Sequence, residues 1–236
     1  MKKLKYLVLT LLLVFVTGCG AKPEDILKEA SENMKKLDNY HMDLKMDMKM
    51  SYEGTSIEMG AKASSDIDVK NGKGAMETTA TFLGMSETEK SYFTVKDGVT
   101  TTYSQEDEEW YKETEEEASN NVNFDIFSKA SSIEKVKDEK NTYKIVLSDE
   151  QIKELVGSTG EDMEGMTFEN IDIKITVEDK HITKMVMSMS AEGNEFTFTF
   201  EFSKFNEVNV TIPEEVINEA IDYEDYEYDF EDEDYE

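Results

Sequence analysis

Few side chains in this sequence can do covalent or acid–base chemistry. Its 236 residues include one cysteine, two histidines and 54 carboxylates. A nucleophilic triad needs a Ser, Thr or Cys beside a histidine and an orienting carboxylate. The single thiol, Cys19, directly follows an apolar run near the start of the chain. His41 sits on the polar positions of an alternating stretch and His181 beside a turn, the places of surface histidines. No HxxxH, CxxC or Gly-rich phosphate loop is present, so zinc and nucleotide chemistry lack their ligands. Paired acids could serve glycoside hydrolysis, but no pair stands apart from the rest. The expectation is a non-enzyme with no catalytic residue, no metal and no cofactor.

Cys19 has a different chemistry available. Lys2, Lys3 and Lys5 form a basic start, and Leu7 to Val16 an apolar run of ten residues. Ten residues are too few to cross a bilayer core, which takes about 20. Residues 1–18 therefore read as a secretory signal. Val16-Thr17-Gly18-Cys19 resembles the bacterial lipobox, an aliphatic residue and two small ones ahead of cysteine. Such a cysteine is acylated through its sulfur and becomes the new N-terminus. Two or three acyl chains anchor a protein stably where one does not. Residues 19–23 are then a short tether, which keeps the folded domain close to the membrane's outer face.

Composition excludes one large class of partner. The formal net charge is −29, and every basic residue is a lysine. Nucleic-acid binding calls for a basic surface and favours arginine forks, so it is not expected. In Asp222–Glu236, ten residues are acidic and five aromatic. Self-repulsion makes 218–236 a disordered tail. Its dense carboxylates offer weak cation binding, without the spacing or glycine of an EF-hand loop.

The elements between anchor and tail are set by hydrophobic period. Pro23, Glu24 and Asp25 suit a helix start. Ile26, Leu27, Ala30, Met34 and Leu37 follow at helical spacing, giving an amphipathic helix over 24–37. In Tyr40–Tyr52, Met42, Leu44, Met46, Met48 and Met50 alternate with Asp43, Lys45, Asp47 and Lys49. That period of two marks a long strand with one buried face. Hairpin signals at Glu53-Gly54, Asn71-Gly72 and Asp97-Gly98 separate further strands at 57–69, 76–82, 91–96, 100–104 and 110–112. A short helix is expected at 124–130 and another after Ser148, with a loop at 160–165. Strands return at 133–136, 143–147, 171–177, 185–191, 196–202 and 208–212, with a bulge between Phe202 and Phe205. Pro213 opens a last helix. Residues 24–217 thus form one α+β domain built on a curved antiparallel sheet of about ten strands.

About ten strands outnumber the few helical segments, so a curling sheet should leave an apolar hollow that the helices do not fill. Methionine makes adaptable walls for a variable apolar ligand. The residues expected to line the hollow are Met42, Leu44, Met46, Met48, Met50, Met59, Met185, Met187, Met189, Phe198 and Phe200.

The chain resembles the LppX/LolA-like group of bacterial lipoproteins, including Gram-positive members. The match rests on the VTGC lipobox at 16–19 and on the helix PEDILKEASENMKKLDNYHM running into the first long strand. The hairpin Glu109-Trp110-Tyr111-Lys112 and the closing VTIPEEV at 210–216 also match. It covers residues 19–217. The resemblance implies a half-barrel with helices on its concave face and brings no catalytic residues. Group members of known role carry lipids or lipoprotein acyl chains between membrane layers. LolA itself is a free periplasmic carrier, whereas this chain is expected to be anchored. The expected function is binding of a lipid or acyl chain. The rival is a cell-surface interaction protein whose acidic tail grips cationic or cell-wall partners.

Overall fold

The computed structural model describes residues 21–52, 55–106, 109–116, 124, 126–148, 150–152, 168–191 and 193–223. Cys19, the Glu53-Gly54 turn, the loop at 160–165 and residues 224–236 of the tail expected over 218–236 lie outside them, as does most of the helix expected after Ser148.

The fold begins as its first residues dictate. Pro23 supplies a fixed φ at the helix start, and Glu24 and Asp25 face the positive end of the dipole in α1 (Pro23–Met34). α1 stops three residues short of the expected end, yet Leu37 beyond it is still buried. Six strands follow as hairpins: β1 (Asn39–Tyr52), β2 (Thr55–Asp68), β3 (Lys73–Phe82), β4 (Met85–Lys96), β5 (Val99–Glu106) and β6 (Glu109–Glu116). A 3-10 turn at Ile126–Lys129 precedes β7 (Ser132–Lys135) and β8 (Thr142–Val146). Then come β9 (Phe168–Glu178), β10 (His181–Ala191), β11 (Asn194–Ser203), α2 (Glu214–Glu219) and β12 (Ile221–Asp222).

All twelve strands belong to one open, curved sheet in the order β12-β6-β5-β4-β3-β2-β1-β11-β10-β9-β8-β7. Neighbours are antiparallel except β12, which lies parallel to β6. β1 is the hinge of the topology, because it joins the meander β1–β6 to β11 and the C-terminal strands.

Several expected details differ. The sheet has twelve strands rather than about ten. β4 starts at Met85, not Ser91, and β6 runs to Glu116, not Lys112. Residues 208–212 form no strand. After β11 the chain reverses with Lys204 and Asn206 at positive φ, where a bulge was expected. Asn39 captures this segment: its carbonyl accepts from the Asn206 amide at 2.8 Å and its side chain from the Val208 amide at 2.7 Å. The register shifts lie instead between β9 and β10, at Ile182/Lys184 and Ser188/Ser190.

The main core forms where α1 packs on the β7–β10 end. Leu27, Ala30 and Met34 meet Tyr143, Ile145, Ile173, Ile175 and Ile182, all buried. Phe124 and Phe127 join this cluster, and Phe124 packs edge-on against Tyr40 and Phe202. A second cluster sits on the opposite sheet face, where Val216 of α2 packs with Ile212, Tyr103, Tyr92 and Trp110. The register fixes this opposition. Tyr103, Tyr92, Ala75, Asp66 and His41 stand in one cross-strand row, while Tyr40 and Met42 point the other way.

Candidate functional site: the apolar sheet face

Directly opposed residues of an antiparallel pair share a face, so the ladders show which side chains the sheet gathers. One row runs Ile133, Ile145, Ile173, Met187, Phe198, Met46, Ala61, Ala80 from β7 to β3. The next runs Tyr143, Ile175, Met185, Phe200, Leu44, Ala63. A third runs Met189, Phe196, Met48, Met59, Phe82, Met85 from β10 to β4. Met42, Leu44, Met46, Met48, Met50, Met59, Met185, Met187, Met189, Phe198 and Phe200 thus all stand on one face of four strands, β10, β11, β1 and β2. The remaining expected site residue, Cys19, lies outside the described residues.

Burial falls along these rows away from α1. Ile173 is fully buried, whereas Met187, Phe198 and Met46 in the same row are half-buried. Met189 is buried and Met48 and Met59 half-buried; Met50 is 38% exposed. β2 and β3 contribute the small residues Ala61, Ala63 and Ala80 where β11 contributes Phe198 and Phe200. The apolar side chains thus shrink from large on β11 and β1 to small on β2 and β3.

The rows turn polar at Thr78 and, on β4, at Glu87 and Glu89. Ser65 stands opposite Met42 and Met76 and is 3% exposed. Its buried hydroxyl has no hydrogen-bond partner among the described residues. A lone buried hydroxyl is costly unless something accepts its proton.

Away from the second cluster, the other face of β1, β2, β3, β10 and β11 is polar. A depression of about 530 Å³ is lined by Asp43, Lys45, Lys62, Glu77, Lys184 and Glu201, among others. Lys184 donates to Glu201 and Lys45 to Asp47, each at 2.7 Å. A second depression of about 330 Å³ contains His41, Ser64, Asp66, Lys90 and Tyr92. His41 is not the exposed histidine its position suggested, since its side chain is 13% exposed. Nδ1 lies 2.6 Å from Asp66 Oδ1, and Nε2 lies 3.5 Å from Ser64 Oγ. That is the order of a hydrolytic triad. The sequence hid it because Asp66 is brought to His41 only by the β1–β2 register. The chemistry does not follow, for two reasons. Asp43 Oδ2 competes for Nε2 at 3.3 Å. β1 and β2 are also interior strands whose amides serve the ladders, so they offer no amide pair to an oxyanion. His41 bridges carboxylates instead. His181 stacks on Phe205 at 4.8 Å and meets the Asp179 carbonyl.

Among the described residues no group of three or more His, Cys, Asp or Glu side chains is placed to hold a metal ion. Nor is any helix there long and apolar enough to cross a membrane.

The model of a family of unknown function, DUF6612, matches residues 22–221. The chain belongs to the DUF6612 family. The matched span runs from the start of α1 to β12, so the DUF6612 domain includes the whole described sheet. No curated protein matches the chain. Among solved structures it is similar to LprF from Mycobacterium bovis, at 13% identity and TM-score 0.42, over 82% of this chain and 97% of that one. It is also similar to an outer membrane lipoprotein-sorting protein domain from Vibrio parahaemolyticus, at 9% identity and TM-score 0.33, over 84% and 97%. A DUF1329 family protein from Desulfovibrio piger matches at 12% identity and TM-score 0.24, over 81% and 95%.

Proposed function

We propose that this DUF6612 protein is a non-enzymatic lipoprotein, held on the outer face of the cell membrane through Cys19, that binds a lipid or acyl chain on its apolar sheet face. One observation carries the reading. The Met and Phe rows of β10, β11, β1 and β2 are continuous with the main core, yet apart from buried Met189 and exposed Met50 their side chains stay half-buried. A purely structural face would close over such side chains, because burying each fully gains about 1.5–3 kcal/mol. Met side chains repack around chains of different length at little cost. The Ser65 hydroxyl, buried under this face without a partner, would donate to an ester carbonyl of a lipid once the side chains above it part.

Native mass spectrometry of the purified protein, with extraction and analysis of bound lipid, tests the proposal. The expected result is a co-purifying lipid, or uptake of a fluorescent fatty-acid probe. Met46→Glu should cut that uptake by about tenfold, equal to ~1.4 kcal/mol, by placing a charge in the row. Lys62→Glu on the polar face should not change it. A protein that purifies empty and takes up no probe would end the proposal.

A further inference from the structure

The hairpin joining β3 to β4 places a large apolar residue where its backbone favours a small polar one. Phe82 and Met85 pair across it, and the two turn residues, Leu83 and Gly84, have φ of 49° and 81°. The β4–β5 turn has the same form, with φ of 55° and 83°, and fills it with Asp97 and Gly98. Positive φ favours Gly, Asn and Asp, and a leucine there is strained. Leu83 makes up for that strain through no burial, since it is 65% exposed. Its neighbours behave alike: Met85 is 69% exposed and Phe82 46%. An apolar tip on a chain of net charge −29 thus stands in solvent by construction.

The tip is also prepared to lose its water. Residues 80–86 carry no charge. Their hydroxyls bond one another, Thr81 Oγ1 to Ser86 Oγ at 3.0 Å, and just behind them Thr79 Oγ1 to Thr88 Oγ1 at 2.9 Å. The ladder pairs the backbone up to the turn. Polar groups satisfied among themselves cost little to move into an apolar medium, and unsatisfied ones a great deal. A two-residue turn presents far too little area for a stable protein partner, which needs roughly 800 Å² on each side. Three apolar side chains on a narrow point suit the headgroup–acyl boundary of a bilayer. The row Met48, Met59, Phe82, Met85 makes the tip the outer end of the apolar face.

We infer that the Phe82–Met85 tip is a membrane-contact point that inserts into the interface of a zwitterionic bilayer. Glu87 and Glu89 follow on β4 and set the depth, because their carboxylates remain in water. The acidic chain disfavours anionic lipid. The contact stands apart from the question of what the apolar face holds, since the tip can insert whether or not that face is loaded.

The test uses the full chain with phosphatidylcholine vesicles whose acyl chains are brominated. Leu83→Trp places a reporter at the tip, and Lys96→Trp places one at the opposite end of β4 as control. The Leu83→Trp signal, above that of Trp110 alone, should shift to the blue and be quenched severalfold more than the Lys96→Trp signal. Adding Met85→Asp to Leu83→Trp should return quenching most of the way to the control level. Equal quenching at both positions, none at either, or quenching unmoved by Met85→Asp would overturn the inference. Native mass spectrometry for bound lipid reads the apolar face separately, so the two claims fail by different observations.

Discussion

Lys180 ties the β9–β10 turn to Glu29 of α1, its Nζ donating to Oε1 at 2.8 Å. The Lys180 carbonyl meanwhile accepts from Asn33 Nδ2 at 2.9 Å, one turn further along the helix. Asp179 and Lys180 both have positive φ, so the turn is fixed by backbone geometry and the helix registers against it. The hydrogen bond to Glu29, then its charge, raises the Lys180 amine above its ordinary value of 10.5. A raised folded-state pKa gives a contribution that is complete below 10.5 and fades as pH climbs through the folded value. The Glu29→Gln variant should therefore lose this alkaline component of its stability profile, followed by urea denaturation. Asn33→Ala should cost about 0.5–1.5 kcal/mol at neutral pH.

Ile173 and Met48 separate core from candidate binding face. Ile173 is fully buried beneath α1, and Met48 is half-buried away from it. Ile173→Ala should destabilise by about 2–5 kcal/mol. Met48→Ala should cost under about 1.5 kcal/mol, because less contact is lost. Denaturation of both variants checks the contrast. Equal large losses would mean that the Met rows are ordinary core.

Ser65 gives the opposite pattern to a structural residue. Removing a buried hydroxyl that lacks a partner should leave stability unchanged or raise it by up to about 1 kcal/mol. If that hydroxyl serves an ester ligand, Ser65→Ala should weaken an ester-bearing lipid more than the matching alkane. Competition binding with the two probes measures the difference.

Gly74 is required by one ring. A Cβ built there would lie 1.9 Å from Phe93 Cε1, inside the aromatic that covers it from β4. Gly74→Ala should cost about 1–3 kcal/mol through displacement of Phe93. The double variant Gly74→Ala/Phe93→Leu should recover part of the loss in the same thermal melt.

Much of this molecule could be read from period alone, and the misreadings share a cause. The alternation in β1 puts Met42, Leu44, Met46 and Met48 on its less exposed side, which is what a period of two reports, though Met50 at the strand's end is 38% exposed. The same signal misled at Val208, Val210 and Ile212. Val210 and Ile212 are indeed buried, but their segment is extended chain held at its start by Asn39 rather than by a strand partner. Burial on one side is not pairing. The first half of β4 was missed for the converse reason. Met85–Lys90 is exposed on both faces, and cross-strand hydroxyl pairs hold it without any apolar alternation. The His41–Asp66 contact was invisible because 25 residues and a register separate the partners. The uncharged run 80–86 could have been noticed, though only its exposure gives it meaning.

At the far margin of the sheet, Ile221 and Asp222 lie alongside Tyr111 and Lys112, Tyr223 packs edge-on against Tyr111, and Asp222 reaches Lys112 at 3.7 Å. A bare margin strand is a template on which a second copy can add its own. By occupying those two positions with its own Ile221 and Asp222, the chain covers that part of the margin on which a second copy could pair. Beyond them, Glu113, Glu115 and Glu116 repel another acidic copy. On this side, then, a strand of two residues covers the middle of β6, and acidic side chains flank the rest of its margin.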